Sequence, residues 1–312
     1  MKITFSFILF LVLLLKLEAQ EINMYFPKFS GKSYDFVIFQ GGRQVTAIQG
    51  VVPATGSFTL KVPKEYAPYT GMSRWLITGT QEGGGLDMFI PGRNYAVSCL
   101  EALPNEKNII YRNNNANQEL NDLYKTQEKI LYRYNVMQQA LKAYNHEDKN
   151  YSVFQEEYID QKRAYEDYQQ NLQKKGDYIS QFIQIVNITQ GIGIKLYDNE
   201  KDKANAIGDY IVDELDWPTL YTSGHWNGVL GSWVSIHTRV LQDKSAFAKD
   251  FTKIGSKITN KDQYQDFVNT IVRPLREEVN KDYLEILLPI IYASAKYPGF
   301  VSIVEAPMDT KS

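Results

Sequence analysis

Two hydrophobic periods divide the chain. From Ile22 to about Tyr111 apolar residues recur every second position. Tyr34, Phe36 and Ile38 alternate, as do Phe58, Leu60 and Val62, Trp75 and Ile77, Met88 and Ile90, and Tyr95 and Val97. A period of two predicts half-buried strands, because successive side chains leave a strand on opposite faces. Glycine and proline punctuate the pattern at Gly41-Gly42, Pro53, Gly56, Pro63, Gly71, Gly83-Gly84-Gly85 and Pro91-Gly92, as turns between short strands require. Residues 20–113 are expected to form an antiparallel β-sandwich or meander. Gln40-Gly41-Gly42-Arg43 reads as a hairpin turn, since such turns demand positive φ.

After Asn113-Asn114-Asn115 the spacing becomes three and four. Leu120, Leu123, Gln127, Ile130, Tyr134, Met137, Leu141 and Tyr144 form one stripe, and Tyr151, Phe154, Tyr158, Gln161, Tyr165, Tyr168 and Leu172 a second. The polar segment His146-Glu147-Asp148-Lys149-Asn150 separates them. This predicts an antiparallel helical hairpin over about 116–175 with a coiled-coil seam. In that register Gln161 faces Tyr134 and Gln127 faces Tyr168, each amide meeting a phenol. Tyrosine is unusual on a dimerising seam and suits a partly wet surface. So the hairpin either projects and docks a protein or packs within the chain.

Shorter helices follow. Ala204 to Leu215 forms one that stops at Trp217-Pro218. Others fit 227–241, 245–258, 261–279 and 281–296, with Asn260 and Asn280 as N-caps and Pro274 and Pro289 as kinks. Tyr297-Pro298-Gly299 is a stop signal, and 300–312 reads as a tail. The expected class is α+β: a β-sandwich or meander at 20–113, then an all-helical region at 114–299 containing the long antiparallel hairpin.

The first nineteen residues fit neither pattern. Lys2, an apolar run from Ile3 to Leu15 and Ala19 match a Sec-type signal peptide cleaved after Ala19. The run is shorter than the roughly 18 residues of a spanning helix. An uncleaved anchor is the competing reading. No Cys lies near the cleavage point, so a lipoprotein is not expected. The predicted location is periplasmic or secreted, without a stable membrane span after cleavage.

Composition narrows the chemistry. The 312 residues carry 34 Lys+Arg and 36 Asp+Glu, for a net charge of −2. That balance gives no footprint for nucleic acid. A single cysteine, Cys99, excludes an intrachain disulfide and a CxxC pair. It is a candidate thiol, or a small buried hydrophobe in a strand. The three histidines are His146, in the hairpin turn, and His225 and His237, beside Trp217, Trp226 and Trp233. With Asp213 and Asp216 upstream they suggest an acid–base pair or a stacking ligand site. Their spacing of twelve fits no zinc pattern, and polar packing around the tryptophans is the plainer reading. Candidate contacts to a ligand or partner are Trp217, His225, Trp226, Trp233, His237, Tyr134 and Gln161. No phosphate loop, GxSxG, HExxH or EF-hand pattern is present, and neither a metal nor another cofactor is expected. The sequon Asn187-Ile188-Thr189 falls inside an expected helix.

The order of elements carries one resemblance. Phe29-Ser30-Gly31, Ile48-Gln49-Gly50-Val51-Val52, Gly56-Ser57-Phe58-Thr59-Leu60 and Leu86-Asp87-Met88-Phe89-Ile90-Pro91-Gly92 lead through Asn113–Asn117 into a long helical region. This resembles the N-terminal region of exported thiol–disulfide oxidoreductases of the TlpA/ResA type from Bacteroidetes-like bacteria. There a β-domain of unknown function and a helical segment precede a thioredoxin domain. The family's active site is a CxxC in that domain. The present sequence has no CxxC and ends where such a domain would begin, so no catalytic residue carries over. The resemblance implies an exported, non-catalytic accessory or protein-binding module. Its expected partner is a thioredoxin-like or other periplasmic protein. An enzyme or small-ligand binder around His225, His237 and the tryptophans is the alternative.

Overall fold

A computed structural model describes residues 20–80, 83–277 and 280–294. The signal-peptide reading, the stop at Tyr297-Pro298-Gly299 and the tail lie outside them. The chain is an α+β protein, with eight strands followed by nine α-helices among the described residues. Strands β1 (Glu21–Tyr25), β4 (Ser57–Lys61), β7 (Tyr95–Ser98) and β8 (Ile110–Arg112) form one sheet in the order β4-β1-β7-β8. Strands β2 (Ser33–Gln40), β3 (Arg43–Val51), β5 (Thr70–Thr78) and β6 (Gly85–Pro91) form the other in the order β3-β2-β5-β6. Pairing is antiparallel except between β1 and β7, which run parallel. A parallel neighbour needs a long crossover, and here the whole second sheet intervenes between β1 and β7.

The alternating residues meet between the sheets. Phe36, Ile38, Trp75, Ile77, Met88 and Ile90 from one sheet pack on Ile22, Leu60, Tyr95 and Val97 from the other. The sequence pattern shows this face but not the next. Val37, Phe39, Met72 and Phe89 point the opposite way, into a second core with Leu120, Tyr168, Leu172, Ile179, Phe182 and Ile183 of the helices. The β2-β5 sheet is therefore the middle of three layers. A sheet covered on both faces reads as a continuous apolar run, and Val37-Ile38-Phe39 is one.

Helices α1 (Ala116–Ala143) and α2 (Tyr151–Lys175) form the antiparallel hairpin. Its contacts run Tyr144 with Phe154, Tyr134 with Tyr158, and Gln127 with Gln169. The partners differ from the expected amide–phenol pairs. Tyr134 Oη lies 3.3 Å from Tyr158 Oη, Gln161 donates to Glu157, and Tyr168 donates to Leu123 O. Gln127 meets Asn187 of α3 (Tyr178–Thr189) instead of a phenol. A third helix closes on the base of the hairpin there, which a two-helix register does not anticipate.

The remaining helices are α4 (Glu200–Asp213), α5 (Trp217–Tyr221), α6 (Trp226–Ser235), α7 (Lys244–Lys257), α8 (Lys261–Leu275) and α9 (Lys281–Ala293). Together with the end of α3 they enclose the third core. Trp217-Pro218 opens α5 as well as ending the preceding segment. Asp216 caps it by accepting from Thr219 N at 2.8 Å, and Pro fits the first turn, where its missing N–H costs nothing. The expected 227–241 helix changes at Ile236–Leu241 into a π-helix. Asn260 caps α8 as expected, accepting from Asp262 N and Gln263 N. Asn280 makes no side-chain cap; its amide donates to Pro274 O. Helix α8 ends at Leu275, short of the expected 279.

The Gly41-Gly42 turn joins β2 to β3 and also ties the sandwich to the helices. Gly41 N donates to Tyr221 O at 2.7 Å, and Asn227 Nδ2 reaches Gly42 O. With φ at +57°, a side chain on Gly41 would run into Asp266 and Tyr221.

Candidate functional site

The residues singled out in the sequence are dispersed among the cores. Trp217, Trp226 and Trp233 are buried in the helical core. Trp217 packs edge-on to Trp226 at 5.9 Å and to Phe267 at 5.8 Å, and Trp233 lies 4.7 Å from Phe247. Their ring faces are taken up by neighbouring side chains. His237 belongs to the π-helix and packs on Trp233 and Phe247. Its Nε2 is 3.4 Å from Asp250 Oδ2, but outside hydrogen-bond geometry, and neither ring nitrogen has a partner. His225 lies against Phe182, 5.5 Å between ring centres. Burial there, reinforced by the Arg74 charge, holds its pKa below the usual value. The two histidines thus face different clusters. Asp216 is the α5 cap, and Asp213 pairs with Lys253. His146 meets Tyr151 at the hairpin tip.

Cys99 is buried in the sandwich core, its thiol 3.4 Å from Asn108 Oδ1. Tyr134 and Gln161 are buried in the hairpin. Asn187 of the sequon is also buried, so the folded chain does not present it for glycosylation. Among the described residues no group of three or more His, Cys, Asp or Glu is placed to hold a metal ion, and no helix is long and apolar enough to cross a membrane.

A concave feature lies at the Asn-rich junction. Strand β8 ends at Arg112, Asn113 adopts the left-handed conformation (φ 63°), and α1 starts at Ala116. Asparagine tolerates that conformation because its short side chain hydrogen-bonds locally. The reversal brings α1 back alongside β8. Two asparagines fasten it to the middle sheet. Asn117 accepts from Phe89 N at 2.8 Å, and Asn114 Nδ2 donates to Phe89 O at 2.8 Å. Between strand and helix runs a crevice of about 650 Å³. Its strand wall is Ile109, Ile110 and Tyr111; its helix wall includes Gln118, Asp122 and Thr126. The Lys125–Glu106 ion pair (3.1 Å) joins the helix to the loop before β8.

Asn114 was legible only as a linker residue. In the structure it is 1% exposed, and its Oδ1 has no hydrogen-bond partner. A buried acceptor left unpaired costs about 1–3 kcal/mol. Two further cavities are shallower in chemistry. One of about 430 Å³ lies on the outer face of the β4-β1-β7-β8 sheet. One of about 520 Å³ lies between α7, α8 and α9 and is mostly apolar.

Comparison with family models, with curated proteins and with solved structures gives no match for this chain. The kinship with oxidoreductase N-terminal regions is accordingly a proposal.

Proposed function

We propose that the protein is an exported, non-catalytic module that holds a protein partner. The observation that carries this reading is the crevice of about 650 Å³ at the junction, between β8 and α1. Of the candidate catalytic side chains, Asp216 caps α5, Asp213 pairs with Lys253 and His225 packs on Phe182. The exposed apolar residues of the hairpin, such as Tyr132 and Val153, add surface of the kind a partner covers. Export rests on the basic start and apolar run of residues 2–15. The resemblance to the N-terminal region of TlpA/ResA-type oxidoreductases makes an exported thioredoxin-like protein the first partner to test. Affinity capture with the full chain from the exported fraction of its native host should retain one protein in near-equal amount. Capture of nothing specific at low and moderate salt would contradict the reading.

The alternative has one observation in its favour. His237 is buried with both ring nitrogens unpartnered beside Asp250, polar groups that an enzyme or small-ligand site there would use. His237→Phe should leave partner capture unchanged. Loss of capture without loss of folding would move the site to that cluster.

A further inference from the structure

The junction crevice has the geometry of a strand-addition site, and the inference rests on the partner-holding reading above. Among the described residues strand β8 is the end strand of its sheet, paired on its β7 side through Ala96↔Arg112, Val97↔Tyr111 and Ser98↔Ile110. On its other side the crevice is lined by Ile110 and Tyr111 of this strand. Such an edge is a template for another strand. An edge strand facing a helix across a groove is the arrangement in which extended peptides add to a sheet. Gln118, Asp122 and Thr126 follow one another at four-residue steps, so one stripe of α1 forms the facing wall. The volume, about 650 Å³, falls in the ordinary range of ligand clefts.

The chemistry of the lining limits the occupant. The crevice has the Glu119 and Asp122 carboxylates and no Lys, Arg or His among its lining residues. Glu119 is neutralised by Lys175. Asp122 is exposed, and within the chain its carboxylate accepts from Gln118 Nε2 at 3.1 Å, a neutral donor. Asn114 closes the sheet side, its side chain buried. Asp122 is therefore the group that calls for a donor, preferably a charged one. Phosphates and acidic segments bring acceptors and negative charge, which this lining repels. A three-residue edge gives only about two backbone bonds, so side-chain contacts must supply the rest. Ile109 and Leu123 offer an apolar surface for that purpose.

We propose that the crevice between β8 and α1 binds an extended segment of a partner protein that alternates apolar and basic residues. Its backbone continues the sheet from β8, and one Lys or Arg reaches Asp122.

The test is selection of randomised heptapeptides on the full chain, followed by anisotropy measurements with the selected peptides. Basic, apolar-alternating peptides should be enriched. Asp122→Lys and Thr126→Lys should each weaken their binding at least tenfold without shifting the melting transition. Asp160→Lys, on the distant part of the hairpin, should leave it unchanged. Enrichment of acidic or uncharged peptides, binding that survives Asp122→Lys, or no enrichment would each overturn the proposal. Self-association abolished by Asp122→Lys would assign the crevice to a second copy and overturn it too. A native partner captured equally by the wild type and Asp122→Lys would remove the crevice while leaving the module reading intact. Failure of both to capture anything would remove the module reading itself.

Discussion

The interior of the sandwich and the base of the hairpin are both fully buried, yet they are built from opposite chemistry. Between the sheets, Trp75 is surrounded by Phe26, Phe29, Tyr34 and Phe58, with ring centres 4.8 to 6.1 Å away. At the hairpin base the equivalent depth holds amides. Gln127 Nε2 donates to Asn187 Oδ1 at 2.8 Å, and Asn187 Nδ2 returns a bond to Gln127 Oε1 at 2.9 Å. Gln169 joins Gln127, and Tyr210 of α4 joins Gln184. Tyr165 closes the network on Gly193 O at 3.0 Å. Apolar burial is strong but indifferent to partner; a satisfied amide network is weaker and selects its partners. The sandwich therefore supplies stability. The amide seam fixes the order in which α1, α2, α3 and α4 meet, and with it the wall that α1 presents to β8.

Trp75→Ala tests the first half of that contrast and carries the largest effect. Removing a buried aromatic from such a cluster should cost about 3–5 kcal/mol in denaturant unfolding. A loss below about 1 kcal/mol would mean that the inter-sheet core is not where the stability resides.

Gln127→Leu comes next. It leaves Asn187 Oδ1 and Gln169 Nε2 without their Gln127 partner, while Asn187 Nδ2 keeps Tyr165 Oη, and should cost about 1–3 kcal/mol. The double variant Gln127→Leu/Asn187→Leu should lose less than the two single losses added together, because the orphaned amide is removed. Simple additivity would show that the seam is ordinary packing. Gly41→Ala, at the turn where the sandwich docks on the helices, should cost about 1–2 kcal/mol through its left-handed backbone. Equal stability would show that the contact with Tyr221 and Asp266 is loose.

The smallest effect is a pH dependence at His225, between the middle sheet and α3. Burial lowers its pKa in the folded chain. An unfolded histidine binds a proton below about pH 6.5, while the folded one stays neutral, so the unfolded state holds more protons there. Stability should fall as pH drops through that value and be indifferent to His225 above it. His225→Phe should flatten that slope. An unchanged slope would place the titration elsewhere.

The contrast also explains what the sequence disclosed. Strand faces and helix stripes are local periodicities, so Phe36, Trp75, Leu120 and Leu172 announce their burial. Gly41 announces its positive φ through the hairpin-turn pattern around it. Pairings between distant segments leave no periodic trace. Val37 and Phe39 look like ordinary members of an apolar run until α1–α3 cover the second face. Gln127 looks like a polar intruder facing a phenol until α3 brings Asn187. Asn114 looks like linker until the turn at Asn113 folds α1 back on β8. The crevice was invisible for the same reason. Its walls come from an edge strand and a helix whose apposition depends on that single reversal, and the Trp and His residues that drew attention are rare residue types used for packing.

The central claim, that a protein partner is held at the junction, is most directly tested with a photo-crosslinking amino acid at Gln118, and at Tyr132 for comparison, in the full chain within its native host. A discrete adduct of higher mass is expected from position 118, abolished by Asp122→Lys. An adduct from position 132 alone would place the partner on the hairpin, and no adduct from either position would contradict the claim.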